Sequence, residues 1–389
     1  KESSAASDVY KRQVVGVTIP HPSSGDTAAR RQRLRARLAT AATPVDAFVV
    51  SDLINVRYLT GFTGSNAALL IDVDDPSRDR ICTDGRYRTQ VANQVPDLEA
   101  VIERNCPQAL IERARDGGAT RIGFESDAMT VAAHRSLTGR FDDAGLELIG
   151  SDGLVQELRM VKDPHEIALL RAACAIGDAA LARIIADGAI RAGATEREVA
   201  RALEWTMYRL GADGIAFETI VAAGPNSAVP HHRPTDAVLT DGDLVKIDFG
   251  AVYAGYHSDM TRTFVLTRAA DWQQELYALV ATAQAAGRAA LTPGAELRAV
   301  DAAARDVIDE AGHGDDYVHG LGHGVGLEIH EAPGIGKLAA GTLPCGAAVT
   351  VEPGVYLPGR GGVRIEDTLV VTDGEPDLLT ATDKTFTVI

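Results

Sequence analysis

Cysteine is scarce in this chain of 389 residues: four stand far apart, Cys82, Cys106, Cys174 and Cys345, with no CxxC pair. That spacing offers neither a disulfide framework nor a thiolate metal site, and it reads as buried thiols of a cytoplasmic protein. Long apolar runs are also missing. No stretch of about 18 apolar residues occurs, so no helix is long enough to span a membrane. Residues 1–25 are polar, lack the apolar core of a signal peptide, and are expected to be a flexible tail. Positive charge is in deficit, 38 Lys and Arg against 54 Asp and Glu for a net −16. Such a balance excludes nucleic acid and anionic membrane as partners, because either demands a basic face. What the chain does have is length and apolar content, 46% hydrophobic residues, enough for two cores.

From Thr27 to about Gly150 short apolar runs alternate with amphipathic stretches. DAFVVSD, AALLIDV, RICTD, RIGFES and LELIG read as strands; RRQRLRARLATA, RYRTQVANQ and TVAAHRSLTGR read as helices. The pattern predicts an α/β domain over 26–155, with RRQRLRARL as a solvated helix face. A second domain over 156–389 opens on a helix start in which Asp163 is the N-cap, Pro164 the first helical residue and Glu166 the partner in a capping box. Within it AIRAGATEREVARALEWTMYRLGAD matches AALTPGAELRAVDAAARDVIDEAGHGD at an offset of 101 residues, pairing Gly193 with Gly294, Val199 with Val300 and Gly211 with Gly312. Each copy is helix, Gly turn, helix, Gly stop, then β-type segments, which predicts two α+β halves about a pseudo-twofold axis.

The chemistry-bearing residues lie in the β regions of those halves. Asp248 and Asp259 belong to KIDFGAVYAGYHSDMTRTF, His323 to HGLGHGVGLEIHE, Glu352 to VTVEPGVY and Glu366 to GGVRIEDT. Taken singly each has a plainer explanation: Asp248 and Asp259 as turn acids, Arg364 and Glu366 as an ion pair on one strand face. Taken together, four carboxylates and one imidazole make an oxygen-rich set for two divalent ions, Mn²⁺ first, with Zn²⁺ or Co²⁺ as substitutes. Two ions about 3.5–4 Å apart activate water, so hydrolysis is the expected chemistry. Thr261 shares a strand face with Asp259 and is expected to support it. His319 and His330 flank His323 and are suited to bind a carbonyl or a developing oxyanion, while glycines from Gly320 to Gly326 allow close approach of backbone to ligand. His231 and His232 stand in a Pro- and Gly-rich loop just ahead of the first acidic strand.

These motifs, in this order and spacing, resemble the proline-peptidase family of pita-bread metallohydrolases, which includes aminopeptidase P and prolidase. YLTGFTGSNAALLI and CTDGRYRTQ resemble the creatinase-like N-terminal α/β domain that such enzymes carry. The resemblance implies an α+β pita-bread catalytic domain and cleavage of Xaa-Pro bonds in small proline-containing peptides. It implies metal ligation by Asp248, Asp259, His323, Glu352 and Glu366, with Asp259 and Glu366 bridging two ions, usually Mn²⁺ or Co²⁺. His231, rather than His232, falls on a substrate-orienting histidine; His319 and His330 match substrate contacts; Glu352 doubles as proton shuttle; Arg364 supports the site. A homodimer is expected, with the loop around Tyr58 to Ser65 bordering the partner's site. TDGRY tilts the expectation toward an Xaa-Pro aminopeptidase, with Xaa-Pro dipeptidase as the alternative. A non-catalytic peptide-binding relative is a third reading; such relatives lose ligands, and all five are present here.

Overall fold

The computed structural model describes residues 25–141 and 145–389, so the tail expected over 1–25 falls outside it except for Gly25. The chain divides into two compact units, Ser23–Arg159 and Met160–Ile389.

The first unit is a mixed sheet of β1 (Ala47–Val50), β2 (Ala67–Asp72), β3 (Arg80–Thr83), β4 (Glu99–Ile102), β5 (Arg121–Glu125) and β6 (Glu147–Ser151), in the order β4-β3-β2-β1-β5-β6. Every residue of β1 is buried, as a central strand of a sheet covered on both faces requires. The expected strands appear, and β4 is an addition. Its sequence EAVI buries only Val101 fully, so neither an apolar run nor alternation announces it. Helix α1 (Thr27–Ala39) starts where Asp26 accepts the Ala29 N–H at 2.9 Å.

The arginines of α1 depart from the expected solvated face. Arg30, Arg31 and Arg35 are 3, 6 and 7% exposed. Arg30 and Arg31 donate to the Tyr58 and Leu59 carbonyls at 3.0 and 2.9 Å, at the end of α2 (Leu53–Thr60), and Arg35 pairs with Asp79 at 2.6 Å. Carbonyls of a last helical turn lack intrahelical partners and carry partial negative charge, which draws the guanidiniums inward. The cysteines need one correction too: Cys82, Cys106 and Cys174 are buried, but Cys345 is exposed.

The second unit opens with α3 (Pro164–Ala186), whose capping box forms: Asp163 accepts the Glu166 N–H at 2.9 Å and Glu166 accepts the Asp163 N–H at 3.0 Å. Then α4 (Glu196–Arg209) packs Val199, Leu203 and Met207 onto a sheet of order β12-β9-β8. The strands of this half are β7 (Gly214–Ile215), β8 (Ile220–Ala223), β9 (Leu244–Phe249), β10 (Ala251–Tyr253), β11 (Tyr256–His257) and β12 (Met260–Val265). The second half repeats the plan with α5 (Asp271–Ala289) and α6 (Leu297–Glu310), whose Val300, Ala304 and Ile308 face a second core. Its strands are β13 (Gly322–Gly324), β14 (Glu331–Ile335), β15 (Ala348–Val351), β16 (Gly354–Leu357), β17 (Gly361–Arg364), β18 (Asp367–Val370) and β19 (Asp377–Leu378). β16 pairs with β17 alone, while β14-β13-β15-β18-β19 form one sheet. No helix among the described residues is long and apolar enough to cross a membrane.

Candidate metal centre and active site

Alternation along β9 sends Val245, Ile247 and Phe249 into the apolar core and leaves Lys246 and Asp248 on the opposite face. β12 runs antiparallel beside it with Asp248 opposite Thr261, and Asp259 stands one residue ahead of β12. The connection narrows at Gly250, where a Cβ would come within 1.8 Å of the Ser258 carbonyl oxygen, so only glycine fits.

Glu352 and Glu366 occupy breaks rather than strands. β15 ends at Val351 and β16 begins at Gly354; β17 ends at Arg364 and β18 begins at Asp367. At the first break the chain leaves the five-stranded sheet for the two-stranded one and at the second it returns, and both carboxylates border the same cavity as Asp248 and Asp259. The VRIEDTLVV segment is therefore not one strand as alternation suggested. His323 lies on β13, whose glycines also admit neighbouring backbone, while Gly320 and Gly322 border the cavity. A Cβ on Gly322 would come within 2.0 Å of the Thr350 oxygen and one on Gly324 within 2.2 Å of the Ala332 oxygen. They admit neighbouring backbone and so seat His323 deep in the unit.

Asp248, Asp259, His323, Glu352 and Glu366, together with His231, His232, His319, His330 and Arg364, border one cavity of about 530 Å³, and Thr261 stands behind it. Ligand atoms of Asp259, His323 and Glu366 lie within 4.8 Å of one another. The His323 Nδ1 donates to the Gly324 carbonyl at 2.9 Å, which leaves the Nε2 lone pair facing the Asp259 Oδ2 at 3.5 Å and the Glu352 Oε1 at 3.4 Å. Burial lowers His323 to about 4, so the ring is neutral. A lone pair set against carboxylate oxygens is repulsive until an acid proton or a metal cation stands among them. The Asp248 Oδ1 is buried without a partner among the described residues, while its Oδ2 pairs with Arg364. Burial, then repulsion from neighbouring acids, drives Asp259 and Glu366 well above the ordinary carboxylate range, and burial raises Glu352 to about 7. Such a cluster is short of positive charge, and two divalent ions fit it.

Arg364 pairs with Asp248 rather than with Glu366, against the ion pair that strand position suggested. Its Nε donates to Thr261 Oγ1 at 3.0 Å, and Thr261 in turn donates to Glu366 Oε2 at 2.7 Å. One arginine thus ties acids from both halves together.

The histidines differ in what they leave available. His319 donates through Nδ1 to the Gly320 carbonyl at 2.8 Å, so its Nε2, 2.9 Å from the Tyr356 hydroxyl, accepts; that hydroxyl accepts in turn from Arg364 Nη1 at 2.9 Å. Burial pushes His319 down to about 3, and both its nitrogens are engaged. His232 pairs through Nε2 with Glu196 at 2.8 Å. Neither His231 nor His330 makes a hydrogen bond among the described residues, and the His330 ring packs edge-on to His323 with centroids 4.4 Å apart.

Three contributors went unread in the sequence: Glu196, Tyr356 and Lys246. Glu196 follows the N-cap Thr195 and looks like an acid complementing a helix dipole. Instead it is fully buried and gathers the Ala223 N–H, the Asn226 amide, His232 and Thr235 at 2.7–3.0 Å. Tyr356 sits inside VTVEPGVY, where only its acid drew notice. Lys246 lies in an apolar run, and its oddity there was the available signal.

Residues 168–373 match the model of metallopeptidase family M24, and residues 30–161 match the creatinase/prolidase N-terminal domain. The chain is 38% identical over 347 residues to YqhT, an uncharacterized peptidase of Bacillus subtilis, spanning 89% of this chain and 96% of that one. Among solved structures it is similar to an Xaa-Pro dipeptidase from Bacillus anthracis, with a TM-score of 0.88 and 37% identity over 94% of this chain and 100% of that one. It is also similar to an X-Pro aminopeptidase from Thermotoga maritima, with a TM-score of 0.83 and 34% identity over 92% and 99% of the two chains. With both domains matched in order, the chain belongs to metallopeptidase family M24 and is a metallopeptidase of the proline-peptidase, pita-bread kind.

Proposed function

We propose that this protein hydrolyses Xaa-Pro dipeptides, using two divalent ions held by Asp248, Asp259, His323, Glu352 and Glu366, with Mn²⁺ the first choice by the hardness of the donors. The observation that carries the metal reading is the neutral His323 Nε2 facing the Asp259 and Glu352 oxygens at 3.5 and 3.4 Å. The dipeptidase reading rests on likeness to the Bacillus anthracis enzyme, and it replaces the aminopeptidase that TDGRY favoured. Xaa-Pro aminopeptidase stays as the second reading because of the Thermotoga maritima structure.

When bound, the ions supply Lewis acidity and lower the pKa of water. The chain's own residues do the rest. Glu352 borders the cavity among the proposed ligands and would be placed to pass a proton to the leaving proline nitrogen. His231 and His330, with ring nitrogens uncommitted, are the donors for charge that develops on the carbonyl oxygen. Arg364 keeps Asp248 and, through Thr261, Glu366 in place. An Xaa-Pro bond is a tertiary amide without an N–H, so a cavity offering no acceptor there favours it.

The deciding assay compares Ala-Pro with Ala-Pro-Ala on Mn²⁺-loaded protein, with EDTA-treated protein alongside. Release from the dipeptide alone supports the dipeptidase; release from the tripeptide moves the reading to the aminopeptidase; no release from either sinks both. A homodimer belongs to the same proposal, carried by the family resemblance, and light scattering reads the mass directly.

A further inference from the structure

Lys246 is a lysine where an apolar residue would be expected. It lies on β9 between Val245 and Ile247, and it is completely buried. Taking an ammonium out of water costs several kcal/mol unless its donors are satisfied. Here Nζ donates to the Val229 carbonyl at 2.6 Å and the Pro230 carbonyl at 3.2 Å, and it lies 4.9 Å from the centroid of the Tyr356 ring.

Those two carbonyls belong to the backbone just ahead of His231. Pro230 has no N–H, so its carbonyl is its one backbone group open to a hydrogen bond. The His231 ring makes no hydrogen bond among the described residues, so its direction follows from how the backbone beneath it is held. Glu196 holds the loop on its far side, through His232 and Thr235. Arg364 shares the near side, reaching the Pro230 carbonyl at 3.2 Å; the Val229 N–H donates to the Asn226 carbonyl at 2.9 Å, but among the described residues the Val229 carbonyl is held by Lys246 alone.

We propose that Lys246 is a positioning residue: its two hydrogen bonds fix the Val229–Pro230 backbone and thereby aim the His231 imidazole into the cavity. This rests on the part given to His231 in the proposed function. A methionine at 246 keeps the length of the side chain and removes the donors.

The test has one arm without catalysis and one with it. In the metal-free full chain, Lys246→Met is expected to raise amide exchange of residues 229–235 about tenfold, with α3 and β12 unchanged. In the Mn²⁺-loaded protein it is expected to lower kcat for Ala-Pro about tenfold to a hundredfold, KM changing less and bound metal staying equal. The same substitution in a His231→Ala background is expected to cost little more, because the histidine it aims is gone. Lys246→Gln keeps an N–H donor and should recover part of both losses; it also reads both arms if the methionine variant does not fold. Unchanged exchange at 229–235, or an equal loss of kcat with and without His231, overturns the proposal. Should the wild type cleave neither peptide, the proposed function falls while the exchange arm still decides the part of Lys246.

Discussion

The two halves of the second unit are built on one frame and fill it differently. In the first, Gly193 takes φ +86° and its N–H reaches the Leu239 carbonyl at 3.0 Å, and Leu239 returns a bond to Ala194 at 2.8 Å. In the second, Gly294 takes φ +82°, reaches Leu343 at 2.8 Å, and Leu343 returns a bond to Ala295 at 2.9 Å. Beyond that shared turn the halves part. The first delivers Asp248 from β9 and Asp259 from just ahead of β12, two strands paired in continuous register, whereas the second delivers Glu352 and Glu366 from breaks and adds His323 on a glycine-rich strand. The first half carries its acids at the ends of β9, the central strand of its sheet, and of β12 beside it, whereas the second half carries them where strands stop early. The duplicated frame fixes distance, and the unequal β regions fix direction.

The largest effects should come from removing one acid from each half. Asp259→Asn and Glu366→Gln are both expected to lower kcat/KM by about 10³-fold or more and to reduce bound metal below two ions, read by elemental analysis beside kinetics. If either variant kept one tight ion and substantial activity, the halves would hold separate sites rather than a shared centre.

Next comes a contrast between histidines of the two halves. His231→Ala removes an uncommitted donor and should cost about 10²-fold in kcat with little change in stability. His319→Ala instead strands the Tyr356 hydroxyl and the Gly320 carbonyl, so its loss should show chiefly in unfolding, about 1–3 kcal/mol. Equal kinetic losses would show that His319 also meets substrate, as the family resemblance implied.

A pH series sharpens the electrostatic side. Glu352 has a folded pKa of about 7, above its ordinary 4.5, so the metal-free protein binds the extra proton only when folded. Its contribution is favourable below about 4.5 and is lost as pH rises toward 7. Glu352→Gln removes that slope. The Tm difference, variant minus wild type, should widen from pH 4.5 to 7 and stay level above; a flat difference would contradict the buried acid cluster.

The smallest effect tests the frame itself. Gly193→Ala and Gly294→Ala meet no atom within 4 Å, so each should cost only the strain of a left-handed backbone, about 1 kcal/mol. Denaturant melts giving clearly unequal losses would break the likeness between the halves.

Much of this was legible because its signals are local. The capping box at Asp163, the repeated glycines and the alternation on β9 each depend on neighbours within a few residues. The acids were legible for another reason: unpaired carboxylates beside apolar runs need a compensating charge, whatever the fold. What went unread depends on partners distant in sequence. Glu196 looked like a helix-dipole acid until His232 and Thr235 came to it, and Arg30 and Arg31 looked solvated until the carbonyls of α2 met them. That the β13 glycines also admit the Thr350 and Ala332 backbone is visible only in the packing.

The sequence by itself determined most of the element types, the repeat and the proposed donor set, since propensity, periodicity and ligand hardness reside in residues. The tertiary structure alone decided which nitrogen of each histidine is free, which acid takes Arg364, and how His231 is held. His319 gives Nδ1 to the next residue's carbonyl but its Nε2 meets Tyr356 across 37 residues, Lys246 reaches the Val229 and Pro230 carbonyls across 17 and 16, and Arg364 takes Asp248 across 116; no local rule ranks such partners until burial removes water from the competition.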